Sequence, residues 1–274
     1  MNELLKRSIT GALFVALLVA GIWVHPLTFL SLFAFITGGT IYEFYRIVIK
    51  RRLLAQRHLG TLTGVLLFVI SFFHAQAVVD EDIFLILIPI LVMTFISELY
   101  KGNLRPFDNI AVSILGVLYI ALPFSLFNYF IFLHKEGEIF FTPEVLLGFF
   151  FLLWANDSGA YLAGRRFGKH RLFKRISPKK SWEGVAGGAL LSLTVAFILS
   201  LSFPILRPAD WVAMAVIISI FGVYGDLNES MLKRSLNIKD SGTMLPGHGG
   251  LLDRFDSVLL ASPIVYLYLR IFVY

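Results

Sequence analysis

The stretch NIAVSILGVLYIALPFSLFNYFIFL, residues 109–133, decides the fold. It contains no charged side chain, and a bilayer core roughly 30 Å thick takes about 20 helical residues per crossing. Working outward, eight further apolar runs of similar length lie at 8–24, 27–48, 60–79, 82–99, 143–163, 184–205, 209–226 and 256–274. No alternating pattern of a barrel is present, and lipid leaves backbone polar groups no partners but their own helix, so the runs read as helices. The whole chain agrees. Of its 274 residues 57% are hydrophobic and 15% charged, with a mean hydropathy of +0.79. Soluble domains carry about 45–50% apolar and about 25% charged residues. A disordered chain, a collagen and a soluble single-core enzyme are excluded. The expected fold class is therefore an all-α polytopic integral membrane protein of about nine transmembrane helices.

Charge placement gives an orientation. With the N-terminus in the cytoplasm, the basic residues of the N-terminal tail and of every second loop fall inside. Only Lys135, Arg207 and Arg270 of the 24 Lys and Arg fall outside, together with the acidic Asp80-Glu81-Asp82 turn. Lys and Arg concentrate on the cytoplasmic side of membrane proteins, so an N-in, C-out topology is expected. The first run follows Lys6 and Arg7 without a small-x-small cleavage site before His25-Pro26, and reads as a retained span. The absence of cysteine excludes disulfides, thiolate nucleophiles, zinc ribbons and iron–sulfur clusters.

The polar residues divide the chain unevenly. It reads as one membrane domain, 1–274, with residues 1–150 mainly scaffold spans and a catalytic half at 151–274. Two cytoplasmic loops, 157–183 and 226–256, hold most of the chemistry-bearing side chains. The second opens Gly225-Asp226-Leu-Asn-Glu229-Ser230-Met-Leu-Lys233-Arg234 as an extension of the eighth helix, so that Asp226, Glu229 or Ser230, and Lys233 share one face. It continues Lys239-Asp240-Ser-Gly242 and Leu245-Pro246-Gly247-His248-Gly249-Gly250-Leu-Leu-Asp253-Arg254-Phe255-Asp256, with Asp253 and Asp256 one turn apart at the start of the ninth helix. A boundary carboxylate is costly to place, which marks it for function. Carboxylate oxygens are hard ligands suited to Mg²⁺, and Asp226, Asp253 and Asp256 are the candidate set. Lys233, Arg234, Lys239 and Arg254 supply charge for a triphosphate. Gly247, Gly249 and Gly250 let backbone N–H groups approach phosphate oxygens. Each element alone has a plainer reading: acids at a helix start complement its dipole, basic residues anchor topology, and Pro-Gly makes a turn.

The first loop reads Asn156-Asp157-Ser158-Gly159-Ala160-Tyr161, Gly164-Arg165-Arg166-Phe167-Gly168-Lys169, then Ile176-Ser177-Pro178-Lys179-Lys180-Ser181-Trp182-Glu183-Gly184. Asp157 is expected to face other protein. Lys179 and Lys180 precede a helix start at Ser181, where a helix N-terminus and two ammonium groups converge as an anion site; a plain N-cap role for Ser181 competes with that reading. Gly164 to His170 falls one residue short of a phosphate-binding loop and lacks Ser or Thr after its Lys. No Asp-Gly pair occurs, so the pattern of the CDP-alcohol phosphotransferases is absent.

The second loop resembles the signature of the phosphatidate cytidylyltransferases, the CDP-diacylglycerol synthases. Ser230, Leu232, Lys233 and Arg234 match its start, Lys239, Asp240, Gly242, Leu245 and Pro246 its middle, and His248, Gly249, Gly250, Leu251, Asp253, Arg254, Phe255 and Asp256 its end. The upstream Asp157-x-x-Ala160-Tyr161 and Ser177-Pro178-Lys179-Lys180-Ser181-x-Glu183-Gly184 segments look like that family's as well. The resemblance implies that CTP and phosphatidic acid give CDP-diacylglycerol and pyrophosphate, with Mg²⁺, a helical membrane fold and a homodimer. It implies an aspartate pair, placed on Asp226 and Asp253. Lys179, Lys180, Lys233, Arg234, Lys239, His248, Gly249, Gly250 and Arg254 are the expected substrate-binding residues. A second, monovalent cation is compatible with this set, and no nucleic-acid partner is expected. The expected location is the plasma (inner) membrane, with the site on its cytoplasmic side. A CTP-dependent lipid-alcohol kinase and an anion transporter are the competing readings.

Overall fold

The structure is a computed structural model that describes residues 3–49, 53–135, 137–242 and 249–274. Nine helical segments follow one another among these residues: α1 (Glu3–Trp23), α2 (Pro26–Ile49), α3 (Arg57–Ala75), α4 (Leu87–Lys101, entered through a 3₁₀ turn at Glu81–Ile86), α5 (the span Pro106–Ile131), α6 (Pro143–Phe167), α7 (Trp182–Ser202), α8 (Pro208–Ser235) and α9 (Leu252–Phe272). Eight are long and apolar enough to cross a membrane; α1 contributes a shorter apolar stretch, Ile9–Trp23. The protein is thus an all-α polytopic membrane protein. Two small hairpins interrupt the helices, one of β1 (Phe132–Lys135) and β2 (Glu138–Phe141), the other of β3 (Arg171–Phe173) and β4 (Ser177–Ser181).

The chain forms two compact units: Met1–Phe132 with Leu236–Arg254, and Leu133–Ser235 with Phe255–Tyr274. In the first, aromatic rings fill the interior. Phe29, Phe33, Phe68, Phe72, Phe124 and Phe127 are fully buried, with ring centroids 4.8–6.4 Å apart along α2, α3 and α5. Tilted and edge-on geometries of this kind add to the area they bury. The α5 span widens into a π turn at Val117–Ala121. Pro123 explains its place: without an N–H, proline cannot close the α-helical bond to the carbonyl of Tyr119. The Tyr45 hydroxyl donates to the Ser113 carbonyl of α5.

A buried acid organises the other end of this unit. Glu98 accepts from Asn103 and Asn109 at 2.6 Å each and from Gln56 at 3.1 Å. Gln56 also donates to the Thr94 carbonyl and accepts from Ser97. The Asn109 side chain accepts from the backbone of Leu54. The network ties the chain before α3 to α4 and α5, and satisfies a carboxylate that burial would otherwise penalise.

In the second unit α6 and α7 lie in backbone contact. A Cβ on Gly159 would stand 2.6 Å from the Gly187 carbonyl, and one on Gly188 would stand 2.7 Å from the Asn156 carbonyl. Small residues let membrane helices approach this closely, and Ala160-x-x-x-Gly164 and Gly184-x-x-x-Gly188 carry that spacing. Ser192 adds a bond to the Leu152 carbonyl across the same seam.

Candidate active site

The basic segment after α6 becomes a structured arm. Glu183, in the first turn of α7, accepts from the backbone N–H groups of Lys169 and His170 at 3.1 Å and pairs with the His170 ring at 2.6 Å. The near-phosphate loop at Gly164 to His170 therefore already spends two of its amides on an internal carboxylate. From this anchor the chain runs through β3 and β4, with Arg171 paired to Ser181 and Phe173 to Ser177. Ser181 caps α7, its hydroxyl accepting from Gly184 N at 3.1 Å. The plain N-cap reading of Ser181 is thus realised.

Consecutive strand residues face opposite sides. Lys179 and Lys180, both expected at the helix start, therefore differ in their surroundings. Lys180 turns inward and its ammonium lies 2.5 Å from Asp226 of α8, while Lys179 is exposed and its carbonyl accepts from Arg171. Asp226 also accepts from Ser230 one turn on, at 3.2 Å. Gly225 makes this neighbourhood possible. A Cβ there would stand 2.5 Å from the Asp256 carbonyl and 2.9 Å from Ser257 Cα, so α8 and α9 touch at backbone level beside Asp226. Asp256 accepts from Ser257 N at 2.6 Å. Asp157 of α6, expected to face protein, is exposed, and its charge acts on Asp226, Asp256 and Lys180. The second unit thus gathers three aspartates from three helices around one ammonium.

Two of the predicted metal-binding acids, Asp226 and Asp256, belong to this cluster, and Asp157 joins them. The third, Asp253, belongs to the first unit, one helical turn before Asp256 on α9. Its Oδ2 accepts from Gly250 N at 3.0 Å and from Ser241 N at 3.1 Å. Gly249 adopts φ +84, which favours glycine, and a Cβ on it would stand 3.0 Å from that same oxygen and press on it. The Gly250 amide, predicted to meet a phosphate, here serves Asp253. Among the described residues, no three His, Asp or Glu side chains are arranged as a finished metal cage. Carboxylate oxygens are the donor type that a hard divalent cation takes together with water and substrate phosphate.

The remaining predicted residues differ in their surroundings. Lys233 is mostly buried and pairs at 2.5 Å with Glu229, whose side chain is fully buried, so it neutralises an acid inside α8. Arg234, Lys239 and Arg254 are exposed. His248 lies outside the described residues. One residue missed by sequence reasoning is Glu43 of α2, in the half read as scaffold. It is buried and accepts from Leu252 N at 2.9 Å. A lone acid within an apolar run was the signal that could have found it.

The chain matches the model of the Cytidylyltransferase family over residues 5–272. It is similar, at 34% identity over 99% of its length, to a protein of Bacillus subtilis (strain 168) named phosphatidate cytidylyltransferase, which is matched over its full length. Proteins of the same name from Staphylococcus epidermidis (strain ATCC 12228 / FDA PCI 1200) and Staphylococcus haemolyticus (strain JCSC1435) are 38% and 39% identical over 64% of this chain and 66% of theirs.

Proposed function

Because the chain belongs to the cytidylyltransferase family, we propose that it converts CTP and phosphatidate to CDP-diacylglycerol and pyrophosphate. The observation that carries this reading is the Lys180–Asp226 pair beside the backbone contact that brings Asp256 close, built at the polar ends of otherwise apolar helices. In the proposed reaction a phosphate oxygen of phosphatidate attacks the α-phosphorus of CTP in line. The new P–O bond forms as the α–β bridge breaks, and pyrophosphate leaves. Phosphatidate is already anionic near neutral pH, so no strong general base is needed. Asp226, Asp253 and Asp256 would hold Mg²⁺. The ion would supply charge neutralisation on the nucleotide phosphates. Lys180, once released from Asp226, would donate to a phosphate oxygen of the substrate or of the leaving group. Lys179, Lys233, Arg234, Lys239, His248 and Arg254, with the Gly249–Gly250 backbone, are proposed to bind the triphosphate or the lipid phosphate.

The same proposal includes a nine-span, N-in and C-out topology in the plasma membrane, which the distribution of Lys and Arg supports. CTP would then enter from the cytoplasm and phosphatidate sideways from the lipid. It also includes a homodimer, testable by the protein mass in detergent.

The deciding experiment supplies purified protein with CTP, Mg²⁺ and phosphatidate. CDP-diacylglycerol and pyrophosphate are expected; release of CDP with a phosphorylated lipid alcohol as acceptor product would select the kinase instead. In this assay Lys180→Ala is expected to lower kcat/KM for at least one substrate by roughly 10²-fold, as loss of one charge-assisted contact to a reacting phosphate does. Unchanged kcat/KM for both substrates would remove Lys180 from the site.

A further inference from the structure

We propose that Glu43, buried in α2, is a positioning residue that sets the geometry of Asp253 by holding Gly242, Gly250 and Leu252. The proposal rests on the reading of Asp253 as part of the catalytic site. Five contacts carry it, all within the first unit. The Glu43 Oε2 accepts from Leu252 N, the first amide of α9, at 2.9 Å. A Cβ on Gly242 would fall on the Glu43 carboxylate, and so would one on Gly250. The carboxylate therefore fills a notch made by two glycines. Asp253 binds the same backbone from the other side, through Ser241 N and Gly250 N. Two carboxylates thus hold Ser241–Gly242 and Gly250 between them, and the orientation of Asp253 is tied to the position of these residues. Glu43 also places a carboxylate at a helix N-terminus, where unpaired amides and the dipole favour it.

Glu43 touches no reacting group in this scheme. It acts on Asp253 through Ser241, Gly242 and Gly250, as outer carboxylates act on the ligands they orient.

The test uses the full chain in lipid nanodiscs. Glu43→Gln keeps the volume and one acceptor oxygen, but places N–H donors against backbone that already presents amides. We expect kcat to fall about 30-fold while KM for CTP and for phosphatidate changes by less than about 3-fold, within the range for loss of an orienting carboxylate. Amide hydrogen exchange over residues 249–253 should accelerate at least about tenfold, with the α3 amides unchanged. Gly242→Ala should reproduce both effects by displacing the carboxylate. In a Glu43→Ala background the same Gly242→Ala change should add almost nothing, because the side chain it collides with is gone. That pair keeps the proposal testable should Glu43→Gln fold poorly. Unchanged exchange over 249–253, or additive effects of Gly242→Ala and Glu43→Ala, would overturn the proposal. Faster exchange with normal kcat would also overturn it if Asp253→Asn abolishes turnover. If Asp253→Asn is itself active, the catalytic reading of that residue falls, and with it any positioning role for Glu43.

Discussion

Asp226→Asn is expected to lower kcat for CDP-diacylglycerol synthesis by about 10³-fold, equivalent to about 4 kcal/mol of transition-state stabilisation. Asparagine keeps the shape of the side chain and can still accept from Ser230, so α8 should remain intact. What disappears is a negative charge that interacts with acids of two neighbouring helices, Asp157 and Asp256. A transferred nucleotidyl group develops charge that must be met by positioned opposite charge, and an amide would be a poor ligand for the proposed Mg²⁺ that would supply it. Lys180 would also lose the partner 2.5 Å away that holds it inward. Asp226→Asn and Lys180→Ala should therefore combine to less than the product of their separate effects, as contacting residues do. Size-exclusion elution and melting temperature serve as controls for folding. A well-folded Asp226→Asn protein retaining more than a tenth of wild-type turnover would remove Asp226 from the reaction.

The second large effect concerns the seam between α6 and α7. Gly188→Val is expected to destabilise the protein by about 3 kcal/mol or more, because its Cβ would stand 2.7 Å from the Asn156 carbonyl, a backbone atom with no rotamer to yield. The melting temperature in detergent should drop by roughly 5–10 °C. Leu190, two residues on, is exposed, and Leu190→Ala should leave melting nearly unchanged. Equal losses from the two variants would mean that the seam is not held by close approach. Since β4 runs directly into the Ser181 cap of α7, opening the seam would also draw Lys180 away from Asp226.

How much of this was readable in the residues depended on which force set each feature. Spans such as 143–163 and 184–205 announce themselves, because lipid demands unbroken apolar runs, and they appear as Pro143–Phe167 and Trp182–Ser202. The extension of α8 past residue 226 was also legible, from the i, i+4 spacing of Asp226 and Ser230 and of Glu229 and Lys233, and both pairs form. The arm at 171–181 was not. Arg171, Lys174, Arg175, Lys179 and Lys180 have little strand preference, and Pro178 argues against a strand. Its shape comes from Glu183 seizing the Lys169 and His170 amides, a contact across a turn that no periodicity encodes. Lys179 and Lys180 were read as equivalent because their separation by strand alternation depends on that arm. Gly225 was equally silent: nothing in one sequence tells a glycine that admits another helix from one that ends a span. Glu43 and Glu98 went unread although each is an acid in an apolar run, and their partners could not be read at all, since these come from other stretches of chain.

Lys180 gives the cluster an internal counter-ion, covalently attached and always present at full occupancy. Acids from α6, α8 and α9 can then stay adjacent before any divalent ion arrives, because their mutual repulsion is already partly offset. With Mg²⁺ as proposed, folding and loading would be uncoupled: chelation should silence the enzyme without melting it, and only a chain lacking the ammonium would need an added ion to keep its helices together.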